Sequence, residues 1–184
     1  VAEPTCEKVF GDAIKVGRRG SINGYLNIKG KQGHAAYPEK TINPVHQVSE
    51  VLSKIAGYNF DNGDEYFSPS QLILTDIRGG MQVTNVTPDK LDIMFNVRNS
   101  TKTNREDIEK FIDDNFKHLN YTLKTTQGSF PFVTHEDSKV VKAMENSIQK
   151  VLNVKTKHST AGGTSDARYF GKFNIEAIEF GVIN

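Results

Sequence analysis

Between positions 21 and 126 the chain alternates between two apolar rhythms, and the order of the switches leaves few folds open. In residues 21–29, Ile22, Gly24, Leu26 and Ile28 alternate with Asn23, Tyr25 and Asn27, the two-residue period of a strand with one buried face. Asn43-Pro44 then reads as a helix start, Asn as N-cap and Pro in the first turn. Val45, Val48, Val51, Leu52 and Ile55 recur on one face of that helix, and Gly57 stops it. A loop containing Gly and Asp over residues 59–69 leads to a strand at 71–77, which Gly79-Gly80 breaks. The strand at 90–99 sets Leu91, Ile93, Phe95 and Val97 against Asp92, Met94, Asn96 and Arg98. Thr103 and Glu106 stand at capping-box spacing, and the helix after them carries Ile108, Phe111, Ile112, Phe116 and Leu119. A strand at 121–126 closes the series. The order is β-α-β-β-α-β, that of the ferredoxin-like split βαβ unit, in which two helices cover one face of an antiparallel sheet.

The flanks differ in character. Residues 12–18 are strand-like, and Gly20 separates them from the next strand. After Pro131 a helix at 137–152 uses Val140, Val141, Met144, Ile148, Val151 and Leu152. A short strand at 155–158, a glycine-bearing loop at 159–165, a short helix from Asp166 and a last strand at 175–180 follow. The simplest organisation puts residues 1–19 and 131–184 in one α/β domain, with residues 20–130 inserted between them. The chain opens on Val1-Ala2-Glu3-Pro4 and stops at Asn184 directly after an apolar run, without a polar tail, which reads as a segment cut from a longer protein.

Charge excludes several function classes. Lys+Arg at 23 against Asp+Glu at 22 leaves a net charge of +1, so there is no broad positive field for nucleic acid or an anionic membrane, while a small anionic substrate stays open. No apolar run approaches the roughly 20 residues of a membrane span, and the N-terminus lacks the basic and apolar regions of a signal peptide. The one cysteine, Cys6, has no internal disulfide partner and no histidines at zinc-finger spacing, which fits a reducing cytoplasmic setting.

Few residues carry obvious chemistry. His34 lies in a polar loop fixed by Gly30, Gly33 and Pro38 directly after a strand, a common place for a binding residue and also for a turn-stabilising one. Asn85 before Val86-Thr87-Pro88 reads as a binding amide or a turn former. Arg18 and Arg19 end a strand, where adjacent side chains point to opposite faces, so at most one faces a given site. Arg98 has the parity opposite to the apolar residues of its strand. A guanidinium fork suits a carboxylate, although a solvated strand charge is the plainer reading of each arginine. Residues 159–165 are rich in N–H donors and hydroxyls, fit either to wrap an anion or to start a helix; they lack the lysine of a P-loop. Glu3 is a hard oxygen ligand or a surface charge.

Taken together these strings resemble one family. Val1-Ala-Glu-Pro-Thr5, Lys15-Val-Gly-Arg-Arg-Gly-Ser21, Lys29-Gly-Lys-Gln-Gly-His-Ala-Ala-Tyr-Pro38 with Ile42-Asn-Pro-Val45, Thr84-Asn-Val86, Phe95-Asn-Val-Arg98 and Ser159-Thr-Ala-Gly-Gly-Thr-Ser-Asp166 are similar, in order and spacing, to the succinyl-diaminopimelate desuccinylases, within the dinuclear zinc aminoacylases and carboxypeptidases. The resemblance covers essentially the whole chain. It implies an α/β (α+β) class: a ferredoxin-like βαββαβ dimerisation domain inserted in part of a zinc-peptidase-like catalytic domain. It further implies Glu3 as one zinc ligand, His34 reaching across a homodimer to stabilise an oxyanion in the partner's site, and Asn85 assisting there. Arg18 (preferred to Arg19), Arg98 and the Gly163-Thr164 turn would hold the carboxylates of a small anionic amino-acid substrate, with Tyr37 nearby. The implied chemistry is amide hydrolysis with two zinc or cobalt ions. One carboxylate is too few for a zinc ion that needs about three protein ligands, so these residues alone are expected neither to bind metal stably nor to turn over substrate. The alternatives are a related deacylase such as acetylornithine deacetylase, and a non-catalytic dimerisation module.

Overall fold

A computed structural model describes residues 1–173 and 175–183. The chain runs through β1 (Ala13–Lys15), β2 (Gly17–Arg18), β3 (Ser21–Lys29), β4 (Gly33–His34), a 3-10 turn (Pro38–Lys40), α1 (Pro44–Ile55), β5 (Leu72–Gly79), β6 (Val86–Thr87) and β7 (Lys90–Val97). It continues through α2 (Arg105–Phe116), β8 (Tyr121–Ser129), β9 (Phe132–Val133), α3 (Lys139–Leu152), β10 (Lys157–Ser159) and α4 (Ala167–Gly171). Four of these strands form an antiparallel sheet in the order β5-β7-β3-β8, and α1 and α2 complete the ferredoxin-like βαββαβ unit.

Alternation drives this sheet. Ile22, Leu26 and Ile28 of β3 and Ile93, Phe95 and Val97 of β7 all fall on one face, where Val48, Val51 and Ile55 of α1 and Ile108, Ile112 and Phe116 of α2 close over them. Register matters at the centre: Gly24 pairs with Phe95, and a Cβ on Gly24 would stand 2.0 Å from the aromatic ring, so glycine leaves the space that the ring fills. The Asn43 side chain accepts from the Val45 N–H with Pro44 in the first turn, as the sequence predicts.

The cap of α2 lies one residue later than expected. Asn104 accepts from the Asp107 N–H and Asp107 takes the Asn104 N–H, so the capping box is Asn104/Asp107 rather than Thr103/Glu106. Thr103 is unavailable because its hydroxyl donates to Asp61 Oδ2 at 2.6 Å. Val45 and Val151, expected on apolar helix faces, are exposed.

The flanks meet beside this unit. β1 pairs with β10 in parallel and β2 with β9 antiparallel, so residues 12–18 form two short strands with different partners instead of one. Residues 175–180 make isolated bridges, Glu179 with Lys15 and Phe180 with Ala2, in place of a continuous strand. Ile14, Val16, Val141, Ile148 and Ile178 form one small core and Phe132, Ala167 and Ala177 another. Ser138 caps α3, which ends at Asn153 in the left-handed conformation (φ 53°). No helix among the described residues is long and apolar enough to cross a membrane.

Candidate functional site

The flanking strands bring Glu3, Lys15, Arg18, Ala161, Gly163 and Thr164 to the wall of one cleft of about 550 Å³. β1 and β2 deliver the two cations, and the 159–165 loop after β10 closes over them. Arg18 is buried, and its guanidinium is braced: Nε and Nη2 donate to Glu179 Oε2 at 2.9 and 2.5 Å, and Nη1 donates to the Ala161 carbonyl at 2.8 Å. Glu179 is fully buried, and its other oxygen accepts from the Ser165 hydroxyl. The carboxylate therefore ties strand and loop together. Gly162 has φ +108°, and an added Cβ would lie 2.2 Å from Arg18 Nη1, so both backbone and space require glycine there.

Lys15 Nζ donates to Ser159 Oγ at 2.9 Å. Burial and then the neighbouring Arg18 charge hold its ammonium pKa below the ordinary lysine value, against smaller opposing contributions from Glu7 and Glu179.

His34, Tyr37 and Asn85 come together elsewhere, on an arm of the inserted unit. β4 and β6 pair His34 with Val86, and the Ala35 N–H donates to the Asn85 carbonyl at 2.9 Å. All three side chains are exposed. The Ala36 N–H donates to His34 Nδ1 at 3.1 Å, which makes Nδ1 the accepting nitrogen and leaves Nε2 as the other ring nitrogen. The Tyr37 ring lies 6.0 Å from the imidazole, with Lys40 Nζ 4.7 Å above its own centroid. None of the arm residues lines the cleft. Arg98, directly after β7, is exposed and does not line the cleft either.

The peptidase dimerisation domain model of the M20 group matches residues 16–123. The chain belongs to this family. It is 75% identical over all 184 residues to succinyl-diaminopimelate desuccinylase of Aliarcobacter butzleri and 62% identical to that of Nautilia profundicola, covering 50% of each. The chain thus spans about half the length of the curated relatives it matches. Among solved structures it resembles a tripeptidase from Staphylococcus aureus (TM-score 0.76, 20% identity, 96% of this chain and 46% of that one). It also resembles an M20 family metallo-carboxypeptidase from Sulfolobus solfataricus (TM-score 0.77, 14% identity, 98% of this chain and 55% of that one). At these identities the likeness is one of fold, and the M20 dimerisation unit with its flanking α/β segments is that fold.

In this M20 chain the described residues contain no group of three His, Cys, Asp or Glu able to hold a metal ion. Glu3 lies in an extended segment beside residues 180–183, with its N–H donating to the Phe180 carbonyl at 3.4 Å. It is the one carboxylate expected as a ligand, and alone it does not fit a zinc ion, which takes about three or four. Sequence reasoning missed Lys15, Glu179 and Ser165. The signal for the first two was present: each is a charge inside an apolar run, Ala13-Ile-Lys-Val16 and Ala177-Ile-Glu-Phe180, where burial demands a partner.

Proposed function

We propose that the protein carrying this chain is a metal-dependent amide hydrolase that removes succinate from N-succinyl-LL-2,6-diaminopimelate, in cytoplasmic diaminopimelate and lysine biosynthesis. The observation that carries this reading is the 75% identity to a succinyl-diaminopimelate desuccinylase along the whole chain. Residues 20–130 serve as the dimerising unit, and residues 1–19 with 131–184 form part of the catalytic domain. Two zinc or cobalt ions belong to the complete enzyme, with Glu3 as one ligand and the others outside these 184 residues.

The cleft takes a carboxylate of the substrate. Lys15 and the unbraced part of the Arg18 fork supply positive charge and donors, and Gly163 and Thr164 supply backbone N–H groups. Glu179 fixes the fork in orientation, so the geometry is set before substrate arrives. Arg98 and Tyr37, which do not line the cleft of their own chain, assist from the partner subunit in holding the substrate, a small anionic amino-acid derivative. His34 and Asn85 act in the partner of a homodimer. An exposed arm whose imidazole accepts at Nδ1, leaving Nε2 turned outward, suits the oxyanion that develops when an amide carbonyl is attacked.

The test is an assay of the full-length protein on N-succinyl-LL-2,6-diaminopimelate against N-acetylornithine. Preference for the succinyl substrate is expected; preference for the acetyl one would transfer the protein to the deacetylases. The isolated 184 residues are expected to show no turnover above a metal-free blank.

A further inference from the structure

Residues 57–71 of the inserted unit form a loop between α1 and β5, outside both the cleft lining and the His34 arm. Asp61 organises it. Its Oδ1 accepts from the Gly63 and Ser70 N–H groups at 2.8 and 3.2 Å, and its Oδ2 accepts from the Ser100 and Thr103 hydroxyls at 2.9 and 2.6 Å. Lys102 reinforces the same corner by donating to the Gly63 carbonyl at 2.7 Å. Asp64 then accepts from the Tyr66 and Phe67 N–H groups at 2.9 and 2.8 Å, which turns the chain so that Phe67 is buried and Tyr66 is half-buried against His135.

Tyr66 reaches the flanking segments. Its carbonyl accepts from the Thr160 hydroxyl, ninety-four positions away, and its ring meets His135 edge-on at 5.8 Å. Thr160 immediately precedes Ala161, whose carbonyl receives Arg18, and Gly162, which packs against the same guanidinium. The corner built on Asp61 is thus linked through one hydroxyl to the loop that closes the cleft.

We propose that residues 61–67 are a strut by which the inserted unit sets the position of the 159–165 loop, with Tyr66 and Thr160 as positioning residues for the cleft; the last clause rests on the carboxylate-binding reading given above. A loop rich in glycine has little stiffness of its own; Lys15, Arg18 and Glu179 hold it from the flanks, and Thr160 gives it the attachment to the inserted unit that helps to set where its N–H groups point.

Hydrogen exchange followed by mass spectrometry on the full-length protein tests the strut without reference to activity. Thr160→Val removes the donor while keeping the shape, Thr160→Ser keeps the donor, and Asp61→Asn loosens the far end. Thr160→Val and Asp61→Asn are each expected to speed exchange about fivefold at Ala161, whose N–H donates to Ser159 Oγ at 3.3 Å, one hydrogen bond's net contribution, with α3 unchanged. Thr160→Ser is expected to exchange like the parent. Unchanged exchange in Thr160→Val, or Asp61→Asn loosening residues 61–67 without reaching Ala161, overturns the strut; should Thr160→Val fail to fold, the Asp61→Asn result decides. Succinate is the probe for the positioning clause: its affinity is expected to weaken about fivefold in Thr160→Val, with KM raised and kcat little changed. Faster exchange with unaltered succinate affinity overturns the positioning role. A parent protein that does not bind succinate at all rejects the carboxylate reading, while the exchange data still judge the strut.

Discussion

In the inserted unit, Ile22, Leu26, Ile93, Phe95, Ile108, Ile112 and Phe116 belong to one continuous apolar cluster between sheet and helices. The flanking segments bury two separate small clusters and place an ion pair, Arg18 with Glu179, between strand and loop. They also leave Phe10, Phe170, Phe173, Ile175 and Ile183 exposed. A region that folds around a closed core can serve as a platform. A region that buries a charged pair has given up some stability for orientation, since two charges brought out of water are repaid only when both partners and their geometry are kept.

Breaking the ion pair is expected to have the largest effect on stability. Glu179→Ala strands a buried guanidinium and is expected to cost about 3–5 kcal/mol, measured by urea unfolding, whereas Arg18→Met with Glu179→Leu is expected to cost much less. If the double variant is as unstable as the single one, the pair is not what distinguishes the flanks. Ile112→Ala probes the other region: a cavity in a fully buried helix face is expected to cost about 2–5 kcal/mol in the same measurement. A loss under 1 kcal/mol would mean that the core is not tightly packed, and the contrast would fail from that side.

A smaller effect sits inside the inserted unit, at the corner behind its contact with the flanks. Burial alone would raise the Asp61 pKa, but hydrogen bonds from Ser70, Thr103, Gly63 and Ser100 outweigh it and hold the carboxyl far below its ordinary value. A carboxyl depressed in the folded state stabilises it above the ordinary carboxylate value, about pH 4, and that contribution is lost as pH falls through the folded value. Asp61→Asn is therefore expected to cost about 1–3 kcal/mol at neutral pH and to flatten the loss of stability below about pH 4 in acid titrations followed by circular dichroism. An unchanged acid limb would assign the acid sensitivity to other carboxyls.

Much of the inserted unit was legible because alternation and helical spacing are local signals. The series from Ile22 to Leu123 states which face of each element is buried, and Asn43-Pro44 marks a helix start without help from the rest of the chain. The capping of α2 was misread because Thr103 and Asn104 are both competent caps, and the competitor that claims Thr103 is Asp61, far away in sequence. In the flanks, residues 12–18 split because each half pairs with a different distant strand, a fact no local pattern holds. The site shows the same division. His34 on an exposed arm and the glycine-bearing loop at 159–165 could be picked out by type and neighbours. The pairing of Arg18 with Glu179, and the link from Tyr66 to Thr160, join residues 161 and 94 positions apart and exist only in the fold.

We propose that one working site takes its cleft from one subunit and its His34 arm from another, since His34, Tyr37 and Asn85 do not line the cleft of their own chain. Subunit mixing in the full-length enzyme measures this directly. His34→Ala protein and the folded Arg18→Met/Glu179→Leu protein, each expected to be inactive alone, are mixed and allowed to exchange. The account predicts recovery toward about a quarter of parental activity, since half of the dimers would be mixed and each would hold one intact site. A mixture no more active than either protein alone, with subunit exchange demonstrated, would contradict it.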